Sequence, residues 1–276
     1  MKSASPSPVP ATSGPDRAAP ERVASPIGVF DSGVGGISVL RELQQMLPAE
    51  DFIYYADSGH CPYGGKPREA IIDRACAITE FLLARQAKLI VVACNTATIA
   101  AVEHLRATYP VPLIGMEPAV KPAVAQTRSG VVGVLATGAA LGGEKFHQLL
   151  AQHAQGVRVI TQPCPGLVEC VERGDLRSAE ARALVERYTA PLLAAGADTL
   201  VLGCTHYPFL RPLIAQVVGP DIALLDTGAA VARQTRRVLE REGLVRETGR
   251  VAGRIEWHGS GDPLLFERLH RLLMSV

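Results

Sequence analysis

The chain has 276 residues, 47% hydrophobic and 20% charged, as in a soluble globular protein with one large or two medium domains. A formal net charge of +1 at pH 7 gives no global field toward nucleic acid or an acidic membrane surface. No apolar run approaches the about 20 residues of a membrane span, so neither is expected as a partner. Residues 1–26 are rich in Ser, Pro and Ala and read as a disordered tail rather than a signal peptide. Cys61, Cys76, Cys94, Cys164, Cys170 and Cys204 form no C-x-x-C and no zinc spacing. The expectation is a cytoplasmic protein with free thiols and no metal.

After the tail, short apolar runs alternate with helical stretches. Ile27–Phe30 reads as a strand and Ile37–Leu47 as a helix; Phe52–Tyr55 is a second strand and Arg68–Leu83 a long helix. Leu89–Ala93 is a third strand, followed by a helix over Thr98–Tyr109. This order predicts a mostly parallel sheet covered on both faces.

The order then recurs. Val132–Gly138 mirrors Ile27–Gly33, and Val157–Ile160 mirrors Phe52–Tyr55, each 105 residues on. Ala179–Leu193 repeats the long helix, and the strand ending in Cys204 repeats the one ending in Cys94 at a spacing of 110. The pattern predicts two pseudo-symmetric open α/β domains, 27–120 plus 226–276 and 121–225. The segment from Asp226, with helices over Ala229–Glu242 and from Pro263, has no counterpart and is expected to close the first domain. Ligands of open α/β sheets bind beyond the carboxyl ends of the strands, where Asp31-Ser32, Asp57, Cys94-Asn95-Thr96, Thr137 and Cys204-Thr205-His206 all fall. Two units facing each other would turn both Cys into one cleft.

A lone strand Cys is usually a small buried hydrophobe. Cys94 and Cys204 differ in ending their strands ahead of hydroxyl and amide residues able to cap a following helix, whose N-terminus lowers a thiol pKa. Cys76, Cys164 and Cys170 read as structural, and Cys61 is open. Asp31 before Ser32-Gly33-Val34-Gly35-Gly36 is either a helix cap or part of a loop whose N–H groups approach a small anion. The loop lacks the dinucleotide and P-loop patterns. His206 is either structural or a proton relay beside Cys204. Glu169 and Glu172 read as helix charges, and Tyr63-Gly64 as a turn.

Four segments in order, Phe30-Asp31-Ser32-Gly33-Val34-Gly35-Gly36, Cys61-Pro62-Tyr63-Gly64, Ala93-Cys94-Asn95-Thr96-Ala97 and Leu202-Gly203-Cys204-Thr205-His206-Tyr207-Pro208, resemble the glutamate racemases of the cofactor-independent aspartate/glutamate racemase superfamily. The resemblance covers residues 27 to about 235. It implies that Cys94 and Cys204 are acid/base thiols, with Asp31 assisting Cys94 and His206 with Glu172 assisting Cys204. It implies glutamate binding by Asp31, Ser32, Tyr63, Gly64, Asn95, Thr96, Thr205 and His206, and no pyridoxal phosphate or other cofactor. None of the five Lys sits at a motif-bearing strand end. It further implies a homodimer, supply of D-glutamate for peptidoglycan, and regulation by a cell-wall precursor. After Thr137, where the family pattern carries further Thr, Ser and Tyr, this chain has Ala140, Gly143 and Phe146. The rival readings are a racemase acting on aspartate or another amino acid and a glutamate-binding regulator without turnover.

Overall fold

The computed structural model describes residues 19–246 and 252–276. In chain order the elements are α1 (Ala19–Ala24), β1 (Ile27–Asp31), α2 (Ile37–Met46), β2 (Phe52–Ala56), α3 (Arg68–Ala84), β3 (Leu89–Val92), α4 (Asn95–Thr108), β4 (Leu113–Ile114) and α5 (Val120–Gln126). There follow β5 (Val131–Ala136), α6 (Gly138–Leu141), α7 (Glu144–His153), β6 (Arg158–Pro163), α8 (Leu167–Glu172), α9 (Ala179–Ala194) and β7 (Thr199–Leu202). The chain ends with α10 (Arg211–Val218), β8 (Ala223–Leu225), α11 (Gly228–Arg241), β9 (Ile255–Gly259) and α12 (Pro263–Ser275). No helix among the described residues is long and apolar enough to cross a membrane.

The strands form two sheets, β4-β3-β1-β2-β9 and β6-β5-β7-β8, and every described pairing is parallel. Residues of β1, β3 and β7 are buried throughout, which is why these strands read as unbroken aliphatic runs rather than alternating ones. Read from opposite ends, β4-β3-β1-β2 and β8-β7-β5-β6 are one topology. The register sharpens the repeat. Ile27 pairs with Leu89 as Val132 pairs with Thr199, which keeps the spacing of 110. Ile27 also pairs with Phe52, whereas Val132 pairs with Val159, so the second strands correspond at 107 residues and not 105. A shift of two preserves which face each side chain takes, so the pattern alone does not reveal it.

Three further differences have physical causes. The segment expected as a tail is ordered from Ala19, because Lys88 Nζ donates to the Val23 carbonyl at 2.7 Å and Arg246 reaches the Ala24 carbonyl; residues 1–18 lie outside the described ones. Helix α4 starts at Asn95 rather than Thr98, because Cys94 itself is its N-cap. Strand β9 adds to the first sheet beside β2 and was not read from sequence. Around it, α11 lies along α2, and Tyr54, Trp257 and Phe266 meet as an aromatic cluster.

Candidate active site

β1, β3, β5 and β7 all end at one small cavity between the two sheets. Ser32, Tyr63, Gly64, Cys94, Asn95, Thr96, Thr137, Cys204, Thr205 and His206 line it, and its volume is about 20 Å³, room for a single water. Its residues come from both halves of the repeat. Thr205 donates its hydroxyl to Asp31 Oδ2 at 2.9 Å, and Ser38 donates to the Thr205 carbonyl at 2.8 Å.

On one side, β3 delivers Cys94 to the first turn of α4, where Ala97 N–H donates to Sγ at 3.4 Å. The Cys94 thiol donates to Ser32 Oγ at 3.7 Å, and Ser32 donates both its hydroxyl (3.0 Å) and its backbone N–H (2.5 Å) to Asp31 Oδ1. The result is a chain of thiol, hydroxyl and carboxylate. The expected lowering of the thiol pKa by the helix start does not prevail here. Burial, then the Asp31 charge, hold Cys94 well above the ordinary thiol value, with Ala97 N–H and Ser32 only partly offsetting them. Burial likewise raises the fully enclosed Asp31 carboxyl, against the pull of His206, Thr205 and Ser32.

On the other side, Cys204 Sγ lies 3.6 Å from His206 Nδ1, and His206 Nε2 lies 2.6 Å from Glu172 Oε1. This chain runs thiol, imidazole, carboxylate. No α-helix follows Cys204 directly; Tyr207–Leu210 is a 3₁₀ turn with His206 at its N-cap, so the two thiols differ in backbone setting as well as helpers. Burial alone would favour neutral His206, yet hydrogen bonds with Cys204, Cys61 and Glu172 lift it well above the usual imidazole value. Burial would raise Glu172, but His206, the Val34 N–H and the Ser58 hydroxyl outweigh it and keep the carboxylate ionised.

The glycine loop explains how these groups fit. Val34 N–H donates to Glu172 Oε1 at 2.7 Å, so the anion this loop approaches is one of the protein's own carboxylates. A Cβ on Gly33 would lie 1.9 Å from Glu172 Oε1, and one on Gly35 2.2 Å from His206 Nδ1. Only glycine leaves room for the pair.

Asn95 is buried in the cavity wall with neither Oδ1 nor Nδ2 hydrogen-bonded. Buried amides are rarely left so, and here both ends are free to meet a polar ligand. Thr96 Oγ1 meets Thr137 Oγ1 at 3.0 Å, which places Thr137 in the wall with the expected residues. Ala140 and Phe146 are buried core side chains, and a Cβ on Gly143 would strike Ile99 at 2.6 Å; the three departures pack this loop against α4 rather than face the cavity. Tyr63 is positioned by Asp57, which accepts from its hydroxyl at 2.6 Å, from Arg74 Nε and Nη2 at 3.0 and 2.8 Å, and from Ser260 at 2.6 Å. Sequence reasoning missed the Asp57–Arg74–Ser260 network and the bridging place of Ser32, because both depend on side chains far apart in the chain or on rotamers. Glu169, by contrast, is not in the cavity wall.

A profile of the Asp/Glu/Hydantoin racemase family matches residues 27–235. The chain is 58% identical over 249 residues to a glutamate racemase of Herpetosiphon aurantiacus, covering 90% of this chain and 97% of the relative. Among solved structures, it resembles glutamate racemase isoform RacE1 from Bacillus anthracis with a TM-score of 0.81 and 29% identity, over 91% of this chain and 94% of that one. Escherichia coli glutamate racemase in complex with L-glutamate and activator UDP-MurNAc-ala is similar with a TM-score of 0.80 and 34% identity, over 90% and 95%. The chain belongs to the Asp/Glu/Hydantoin racemase family.

Proposed function

We propose that the chain interconverts L- and D-glutamate, with Cys94 and Cys204 as the two bases on opposite sides of the α-carbon, and so supplies D-glutamate for peptidoglycan. The observation that carries this reading is the pairing of two thiols on one small cavity, each linked to its own carboxylate, Asp31 through Ser32 and Glu172 through His206. The thiol in its thiolate form takes the α-proton, and the opposite thiol returns one to the other face. Exchange of roles runs the reverse direction. Asn95, Thr96, Thr205 and the Ser32-Gly33 backbone would hold the substrate carboxylate while charge develops on the α-carbon, and Tyr63 and Gly64 would complete the substrate wall. Since the cavity holds about 20 Å³, the halves 27–120 with 226–276 and 121–225 would part to admit an amino acid. A precursor of the class seen as activator on the E. coli relative, and a homodimer, belong to the same reading.

Racemisation of L- and D-glutamate in deuterium oxide, followed by polarimetry and α-deuterium content, tests the two-base assignment. Cys94→Ala and Cys204→Ala are each expected to lose interconversion by at least about 10²-fold. Wild-type rates in either variant would overturn it.

A further inference from the structure

Cys61 is neither of the two proposed bases, yet the fold brings it to His206 and Glu172. One ligand atom from each of Cys61, Glu172 and His206 lies within 4.8 Å of the other two, although 145 residues separate the first from the last. We propose that these three side chains bind a thiophilic divalent cation of the zinc class, and that the bound cation takes His206 out of the Cys204 relay.

The donor set is sulfur, nitrogen and oxygen, three protein ligands with a fourth position open, as borderline-soft divalent cations accept. In a tetrahedral site with bonds near 2.1 Å the nitrogen and oxygen ligands stand about 3.4 Å apart. The observed His206 Nε2–Glu172 Oε1 separation of 2.6 Å would have to widen, an adjustment of side chains, and all three ligand atoms already lie within 4.8 Å of one another. Glu172 is already oriented from outside the triad by Val34 N–H and by the Ser58 hydroxyl at 3.3 Å, the kind of support that fixes metal ligands. Access does not require the racemase cavity. Cys61 and Glu172 also line a separate cavity of about 440 Å³ beneath α12, whose wall carries Glu169, Glu172 and Asp262 against one guanidinium, Arg173; that balance favours a cation.

On binding, the Cys61 thiol gives its proton to solvent and His206 loses the proton on Nε2, leaving the neutral imidazole with N–H at Nδ1, toward Cys204. That tautomer can still donate to a Cys204 thiolate but no longer passes protons between Cys204 and Glu172. The inhibition therefore rests on the racemase reading, whereas the binding does not.

Cobalt(II) titration of the purified full chain, read by the thiolate-to-cobalt charge-transfer band, tests the site directly. One equivalent with that band is expected in the wild type and in Cys94→Ala, and no band in Cys61→Ala or in the more conservative Cys61→Ser. Zinc is expected to inhibit wild-type racemisation, with the half-inhibiting concentration raised at least tenfold in Cys61→Ala, each protein being measured against its own zinc-free rate. A band that survives in Cys61→Ala, one lost in Cys94→Ala (a cation held by the facing thiols instead), absence of binding, or equal zinc sensitivity of wild type and Cys61→Ala would each overturn the proposal. Should no variant or wild type racemise glutamate, the functional reading fails while the cobalt arm still decides the site.

Discussion

At the scale of single residues, Asn95 is the wall side chain best placed to meet a polar ligand. Both of its polar atoms are buried and unpartnered, so removing them breaks no hydrogen bond within the protein and relieves an unsatisfied pair. Asn95→Ala is expected to leave the thermal midpoint unchanged or higher, while kcat/KM for glutamate falls about 10- to 100-fold, the equivalent of one hydrogen bond to a charged group. A variant that loses stability and activity together would assign Asn95 a structural place. Such residues were legible from sequence because they cluster at strand ends. The glycines were legible only as a choice between a cap and an anion loop. Which anion they approach is set by Glu172, 138 residues further on, and no local pattern carries that information.

At the scale of elements, the helices and central strands follow from periodicity, and the misreadings occur where tertiary contacts decide. Periodicity gives no sign that residues 19–24 are helical; Lys88, buried beside Glu50 with Nζ–Oε2 2.5 Å, holds this segment and donates to the Leu244 carbonyl at 2.9 Å. Lys88→Met would leave the Glu50 carboxylate buried and unpaired by its main partner. This is expected to destabilise by about 3–5 kcal/mol and to lower the thermal midpoint on the order of 10 °C, measured by circular dichroism. The turn after β2 behaves differently. Burial would raise Asp57, but the hydrogen bonds from Arg74, Ser260 and Tyr63 outweigh it and hold the carboxyl below its usual value. A depressed folded pKa contributes stability above the unfolded value of about 3.9, lost as pH falls through the lower folded value. Arg74→Met should therefore destabilise the protein at neutral pH more than at pH values below the folded pKa of Asp57, seen as converging thermal midpoints in acid; parallel curves would dissociate Arg74 from that carboxyl.

At the scale of the whole molecule, the repeat was legible because parallel central strands are buried on both faces and keep their aliphatic runs, and the Cys94–Cys204 spacing of 110 survives as true register. Within that frame the two thiols have unlike helpers, as the resemblance implied, and the structure adds the intervening groups, a hydroxyl between thiol and carboxylate at Cys94 and an imidazole at Cys204. For a racemase this asymmetry meets a thermodynamic limit. L- and D-glutamate have equal free energy in achiral water, so kcat/KM must be the same in both directions whatever helps each base. Unequal helpers can show only in how that common ratio divides into kcat and KM. Glu172→Gln is expected to lower kcat/KM by about 10²-fold or more, equally from either enantiomer, while kcat and KM change by different factors in the two directions. Asp31→Asn, acting on the other relay, should reverse which enantiomer shows the larger change in kcat. Progress curves started from each enantiomer measure all four constants. Identical splits in both variants would mean that the thiols share one proton network rather than owning one each.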